Sequence, residues 1–314
     1  MKIGIMGLGS IAEKMVTTIN MMDSNYELYA VASRDMIKAL NFKKKYNAEK
    51  AYGSYLDLAK DSEVDLIYIA TVNSSHFENM LLCIKHHKNI LVEKPFTLNY
   101  SEALEISTLA KHNNVFIAEA LWTSYMPFND TLKDILKDEV VTSFYGIFNV
   151  NVIDKERIIK HELGGGALLD LGLYPISFAL RLFGFNYKDI LINNVYFSDT
   201  NVDIHTDISL VYDSFEARCV CDCTKSFQTY VNITTKNYRI YIDSTNNPSF
   251  IKVFDKKEQL IKEYKFKNHT GYEFELIDCF NAINDNLLEP RKWSTYKTLE
   301  LMHLLDKITI KALK

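Results

Sequence analysis

"KIGIMGLGSIAEKM", residues 2–15, is the stretch on which the fold turns. A short apolar run from Lys2 breaks at Gly7, and an amphipathic segment follows from Ile11 to Met22. Between them stands "GLGSIA", with the spacing Gly-x-Gly-x-x-Ala from Gly7 to Ala12. The first glycine permits a tight turn, and the second lets a pyrophosphate approach the backbone. The small third residue allows close helix–strand packing, with phosphates at the helix N-terminus. Glycine-rich turns are common, but one that follows the first strand and opens the first helix specifies dinucleotide binding. Gly7, Leu8, Gly9, Ser10 and Ile11 are therefore candidate cofactor contacts.

Outward from this turn the pattern repeats. "ELYAVAS" precedes a helix beginning near Asp35, "VDLIYIAT" precedes one from about Ser75 to His86, and "NILVE" leads to one from Ser101 to His112. "VFIAEA" closes the series. Continuous apolar runs between helices read as a buried parallel sheet, so residues 1–120 are expected to form a doubly wound α/β Rossmann domain. The second strand ends in "ASRD", offering Ser33 and Arg34 where an NAD enzyme usually has an acid for the ribose 2′-hydroxyl. A guanidinium pairs with a 2′-phosphate, so NADP is the expected cofactor, with NAD as the alternative. Asp35 lies one residue later, where it can cap the next helix.

Residues 121–314 change character. Strands are expected at about 190–198, 204–212, 215–223, 228–234, 238–244, 250–254 and 259–265, with helices near 271–286 and 295–313. Their alternation predicts an α+β domain with a large open, mainly antiparallel sheet. With few helices left to cover both faces, one face should meet another subunit.

The composition excludes other classes. Of 314 residues, 47% are hydrophobic and 24% charged, so the chain is globular rather than disordered. A net charge of -4 gives no footprint for nucleic acid or a membrane surface. No apolar run approaches the roughly 20 residues of a membrane span, and glycines break the N-terminus where a signal peptide would stay apolar. Five cysteines without a signal peptide suit reduced thiols in the cytoplasm. Cys219, Cys221 and Cys223 alternate along one strand face, a spacing unlike zinc ligands, and no metal is expected.

A second glycine cluster, "ELGGGALLDLGLYPI" (residues 162–176), places Asp170 and Tyr174 four residues apart, on one helical face. On its own it reads either as another phosphate loop or as an ordinary helix start with Asp170 favoured by the dipole.

Further motifs lie at the strand ends: "ATVNSSH" (Ala70 to His76), "VEKPF" (Val92 to Phe96) and "EALW" (Glu119 to Trp122). With "GGGALLDLGLYPI" they make the chain resemble the glucose–fructose oxidoreductase/inositol dehydrogenase family of NAD(P)-dependent oxidoreductases. "EALW" and Tyr174 are most similar to the dimeric dihydrodiol dehydrogenase and NADP-dependent xylose dehydrogenase branch. The resemblance implies that the glycine cluster lies beside the nicotinamide and brings Asp170 and Tyr174 to Lys94. It also implies cofactor contacts from Thr71, Asn73, His76, Glu93, Lys94 and Trp122, and pairing of subunits through the C-terminal sheet as a homodimer or larger homo-oligomer.

The chemistry agrees with that set. Oxidising a secondary alcohol requires removal of its hydroxyl proton, and a phenol of pKa about 10 is a poor base near neutrality. A nearby ammonium favours the phenolate, and a carboxylate can orient the group and hold the lysine. Many relatives carry histidine in place of Tyr174, so Lys94 could take the larger share. Trp122, Tyr125 and Phe128 could line a pocket or fill the core; Arg157 and His161 precede the glycines and could face substrate. The expected function is NADP-dependent oxidation or reduction at a secondary hydroxyl of a small-molecule sugar, polyol or cyclic diol. The rivals are a catalytically silent nucleotide sensor and a family glycosidase with a tightly held cofactor.

Overall fold

The computed structural model describes residues 1–313. Two compact units emerge: residues 1–125 with 269–302, and residues 126–268 with 303–314.

In the first unit, elements alternate in chain order: β1 (Lys2–Met6), α1 (Ser10–Met21), β2 (Glu27–Ala32), α2 (Met36–Tyr46), β3 (Lys50–Tyr52) and α3 (Tyr55–Lys60). Then come β4 (Leu66–Ile69), α4 (His76–Lys85), β5 (Asn89–Glu93), α5 (Tyr100–His112) and β6 (Ile117–Ala120). The strands form one parallel sheet in the order β3-β2-β1-β4-β5-β6. The central strands β1 and β4 are buried on both faces, which is why Ile3, Ile5, Leu66, Ile67 and Ile69 form unbroken apolar runs. The strand order reverses between β1 and β4, where this fold opens its ligand crevice at the carboxyl ends of the strands.

The second unit contains α6 (Phe128–Leu136), β7 (Val141–Asn149), α7 (Glu156–Ile159) and α8 (Leu173–Phe183). The strands β8 (Asp189–Phe197), β9 (Asp203–Val211), β10 (Glu216–Asp222), β11 (Gln228–Thr235), β12 (Arg239–Ile242), β13 (Phe250–Phe254) and β14 (Leu260–Lys265) follow. Eight strands line up as β14-β13-β12-β11-β7-β10-β9-β8, antiparallel except for the parallel pair β7/β10. α8 packs on one sheet face, where a Cβ on Gly146 would stand 3.1 Å from both Phe144 and Pro175. Cys219 and Cys221 lie buried on this side, the Cys219 thiol 3.4 Å from the Pro175 carbonyl. The chain ends with α9 (Glu273–Asn284) and α10 (Thr295–Ala312).

Three expectations change. A single switch near residue 121 left everything after it in the second domain, whereas residues 269–302, with α9, cluster with the first unit. β7, absent from the expected strands, occupies a central place in the larger sheet; Gly146 interrupts its β pattern because the helix above needs a close approach. One stretch, His161–Phe183, is long and apolar enough to cross a membrane, contrary to the expectation from sequence, but 83% of its apolar window is buried inside the protein.

Candidate active site

In the first unit, the candidate cofactor residues collect at the carboxyl edge of the parallel sheet, because each follows a strand: Gly7 after β1, Ser33 and Arg34 after β2, Thr71 and Asn73 after β4, Lys94 after β5 and Trp122 after β6. Gly7 adopts φ +92°, and a Cβ there would lie 2.9 Å from the Ala70 carbonyl oxygen, so only glycine fits the turn. Gly9 caps α1 without a side-chain hydrogen bond, and a Cβ at Gly9 would meet nothing within 4 Å. Gly9 and Ser10 are exposed at the start of α1, with Leu8 and Ala12 buried behind them. Such an end suits a phosphate.

At the end of β2, Asp35 accepts hydrogen bonds from Ile37 N–H (2.8 Å) and Lys38 N–H (3.2 Å). Its carboxylate is the cap of α2, as its spacing suggested. Buried Ser33 accepts from Asp35 N–H, while Arg34 is exposed beside the phenol of Tyr55.

Around β5 the polar groups are organised by burial. The Tyr68 hydroxyl donates to Glu93, whose other oxygen accepts from the backbone N–H of Lys94 at 3.2 Å. Lys94 itself is half-buried and joined to Pro95 by a cis peptide bond. His76 is fully buried, with Nδ1 2.9 Å from the Pro95 carbonyl and Nε2 3.3 Å from that of Thr71. Burial lowers its pKa, and as a neutral ring with one N–H it donates to one of these two carbonyls. Thr71 is held in turn by the Asn79 amide at 3.0 Å.

Glu119, 2% exposed, accepts from Phe96 N–H (3.1 Å), Trp293 Nε1–H (3.0 Å) and the Thr298 hydroxyl (3.0 Å). Burial raises its pKa despite these donors. It anchors the segment after Lys94 to β6 and to the start of α10. Trp122 stacks on Tyr272, ring centroids 4.6 Å apart, and buried Tyr125 donates to the Glu119 carbonyl. These rings are buried in the first unit.

In the second unit, the three glycines have local causes. Gly164 and Gly166 have φ of +74° and +119°; a Cβ on Gly165 would collide with the Ile158 carbonyl, and one on Gly166 with the Asp203 carboxylate. Asp203 accepts from Leu168 N–H at 2.7 Å and from the Thr206 hydroxyl at 2.9 Å, so a carboxylate from β9 seats the helix start. No strand of a βαβ unit precedes the cluster, which disposes of a second phosphate loop. Residues Leu168–Gly172 form a π-helical turn rather than the α-helical first turn expected, a feature found often at functional sites. Asp170 lies in that turn and Tyr174 just inside α8, both 7% exposed. Arg157 donates to both oxygens of Asp170, at 2.8 and 3.1 Å. This paired fork fixes the carboxylate within the second unit. Tyr174 packs edge-on to Phe148, which meets exposed Phe227 in the same way.

Sequence reasoning left Glu119 without a role and gave Arg157 only a position. A carboxylate inside the apolar strand "VFIAEA" was the available signal for Glu119, since a buried acid needs donors. Nothing in the sequence links Arg157 to Asp170 or Asp203 to the glycines, because both pairings depend on tertiary placement.

Comparison with known proteins places this geometry. Residues 1–120 match the family described as "Oxidoreductase family, NAD-binding Rossmann fold". A trans-1,2-dihydrobenzene-1,2-diol dehydrogenase from Danio rerio is 31% identical over 70% of this chain and 67% of its own length. The chain belongs to this oxidoreductase family, that of glucose–fructose oxidoreductase and inositol dehydrogenase. Within it, the similarity is to the dihydrodiol dehydrogenase branch. The enzyme of that name from Xenopus tropicalis is 33% identical over 67% of this chain, a match spanning 65% of its own length. A 3-ketoreductase from Actinomadura kijaniata, solved in complex with NADP and TDP-benzene, shares the fold with a TM-score of 0.88. It is 19% identical, over 99% of this chain and 97% of its own.

Proposed function

We propose that this protein is an NADP-dependent dehydrogenase acting on a secondary hydroxyl of a sugar, polyol or cyclic diol. The observation that carries the reading is the uncapped start of α1 at the switch point of the parallel sheet, with Lys94 at the carboxyl end of β5. A dinucleotide fits the first unit: Gly7 leaves its turn clear where a Cβ would crowd Ala70, and Gly9 opens the helix end. The N–H groups from Gly9 to Ile11 would hold the pyrophosphate, and Arg34 with Ser33 the 2′-phosphate. Thr71, Asn73, His76, Glu93, Lys94 and Trp122 belong to the strand ends that would receive the rest. When bound, NADP supplies a ring carbon that accepts or returns the hydride of the substrate carbon.

The protein's own residues handle the proton. In oxidation Tyr174 would take the hydroxyl proton and in reduction return one to the developing alkoxide; the family resemblance supports Lys94 as the cation that assists. Glu93 orients Lys94 from behind, and Asp170, fixed by Arg157, orients the substrate side. The relatives named as diol dehydrogenases and the NADP-bound 3-ketoreductase support this substrate class. Five free cysteines, all buried, support a cytoplasmic protein. The test is a screen of purified protein with NADP and NAD against pentoses, hexoses, inositols and cyclic diols. The reading expects NADP-dependent turnover with at least one of these classes. Cofactor binding without turnover across the whole panel would favour the sensor.

The same reading includes a homodimer joined through the larger sheet. Opposite α8 the sheet carries a row of rings, Tyr145–Tyr230–Tyr241–Phe250, with successive centroids 5.8, 6.0 and 6.1 Å apart. On this face the side-chain oxygens of Asn149 and Asn232 are buried without a hydrogen-bond partner in the protein. A continuous aromatic surface is what a second copy would cover.

A further inference from the structure

Glu275 stands in the first turn of α9, fully buried, and neither carboxylate oxygen has a hydrogen-bond partner in the protein. Other buried carboxylates here are supplied with donors. Glu119 has three, and Glu273 accepts from the backbone N–H groups of His269, Thr270 and Gly271. A buried carboxylate with no donor is the costliest polar group in a core, so its presence needs a reason. The charges that act on it are Glu93 and Glu273, and it in turn acts on Tyr68, Tyr125 and Cys279. Every one of these groups is acidic or neutral.

Glu93 and Glu275 therefore form a pair of interacting carboxyls away from water, and two such groups do not both ionise. The donors decide which one does. Glu93 receives the Tyr68 hydroxyl and the Lys94 N–H, whereas Glu275 receives nothing. We infer that Glu275 is a positioning residue for Lys94 that acts through Glu93: as the uncharged acid of the pair, it leaves Glu93 the single anion at the end of β5. That anion draws the neighbouring ammonium into one place. Burial, with the like charge of Glu93 behind it, raises the Glu275 pKa far above the ordinary carboxylate range. The role given to Lys94 rests on the dehydrogenase reading; the state of the carboxyl pair does not.

Infrared titration of the full-length protein tests the pair directly. At pH 7 the spectrum should contain the band of a buried protonated carboxyl, and Glu275→Gln should remove it. In Glu93→Gln the band should survive but titrate at least about one pH unit lower, because the like charge is gone. A spectrum that Glu275→Gln leaves unaltered, or a band whose midpoint ignores Glu93→Gln, overturns the inference. Turnover tests the link to Lys94. The alkaline limb of the kcat profile should move to higher pH in Glu275→Gln, since glutamine cannot add a second charge beside Glu93. An unmoved limb, with the infrared signature intact, overturns the positioning role. Failure to find any substrate counts against the dehydrogenase reading and leaves the infrared result to judge the pair.

Discussion

At the scale of single residues, chemistry is divided by which polar groups find partners. Asp35 spends its carboxylate on two backbone N–H groups of α2, which leaves exposed Arg34 as the charged side chain at the end of β2. Arg34→Ala should remove a charge-assisted contact of about 1.5–3 kcal/mol, weakening NADP about tenfold or more while sparing NAD. Titration with both cofactors checks this, and equal losses would make Arg34 structural. Glu275 gives a pH dependence of definite sign. Its folded pKa is raised above the unfolded value near 4.5, so the native state holds a proton that the unfolded chain has released. Stability from this group is complete below that value and declines as pH rises toward the folded pKa. The melting temperature of Glu275→Gln relative to the native protein should therefore climb between about pH 5 and pH 8. A constant difference across that range would show that Glu275 is ionised throughout.

At the scale of elements, local signals and tertiary demands separate cleanly. The parallel strands and their helices were legible, apart from the short, half-buried edge strand β3 and the α3 that follows it, because burial on both faces writes continuous apolar runs, and the expected helix near Asp35 begins at Met36 behind its acidic cap. β8 to β14 were legible from alternation to within a residue or two. β7 was not, because its glycine serves the helix lying on it rather than the strand. In the site, Gly7 and Gly9 could be read from spacing alone, whereas the π-helical turn around Asp170 and the seat provided by Asp203 required the folded structure. Two variants examine that turn. Gly165→Ala should drive a methyl group into the Ile158 carbonyl and lower the melting temperature by several degrees. Asp203→Ala should strip Leu168 N–H of its acceptor at a cost of about 1–3 kcal/mol. Thermal melts report both, and unchanged stability in either would mean that the helix start is held by other contacts.

At the scale of the whole molecule, Lys94 and the nucleotide turn belong to the first unit, and Asp170 and Tyr174 to the second. The open aromatic face of the larger sheet belongs to the same scale. Sedimentation at micromolar protein should show a dimer or larger species, and Tyr230→Glu, placing a charge within the row of rings, should yield monomer. A native protein that sediments as monomer would contradict the interface. The central claim is that Lys94 and Tyr174 work as one proton-transfer group, and the most direct measurement is turnover for Tyr174→Phe, Lys94→Met and the double variant, beside NADP titration of each. Tyr174→Phe keeps the ring against Phe148 but removes the transferable proton. It should lower kcat about 10²–10⁴-fold with NADP affinity nearly unchanged. Lys94→Met should do similar damage, and the double variant should be little worse than the worse single, because groups acting together are not additive. Near-full activity in Tyr174→Phe across pH, with Lys94→Met inactive, would contradict the account.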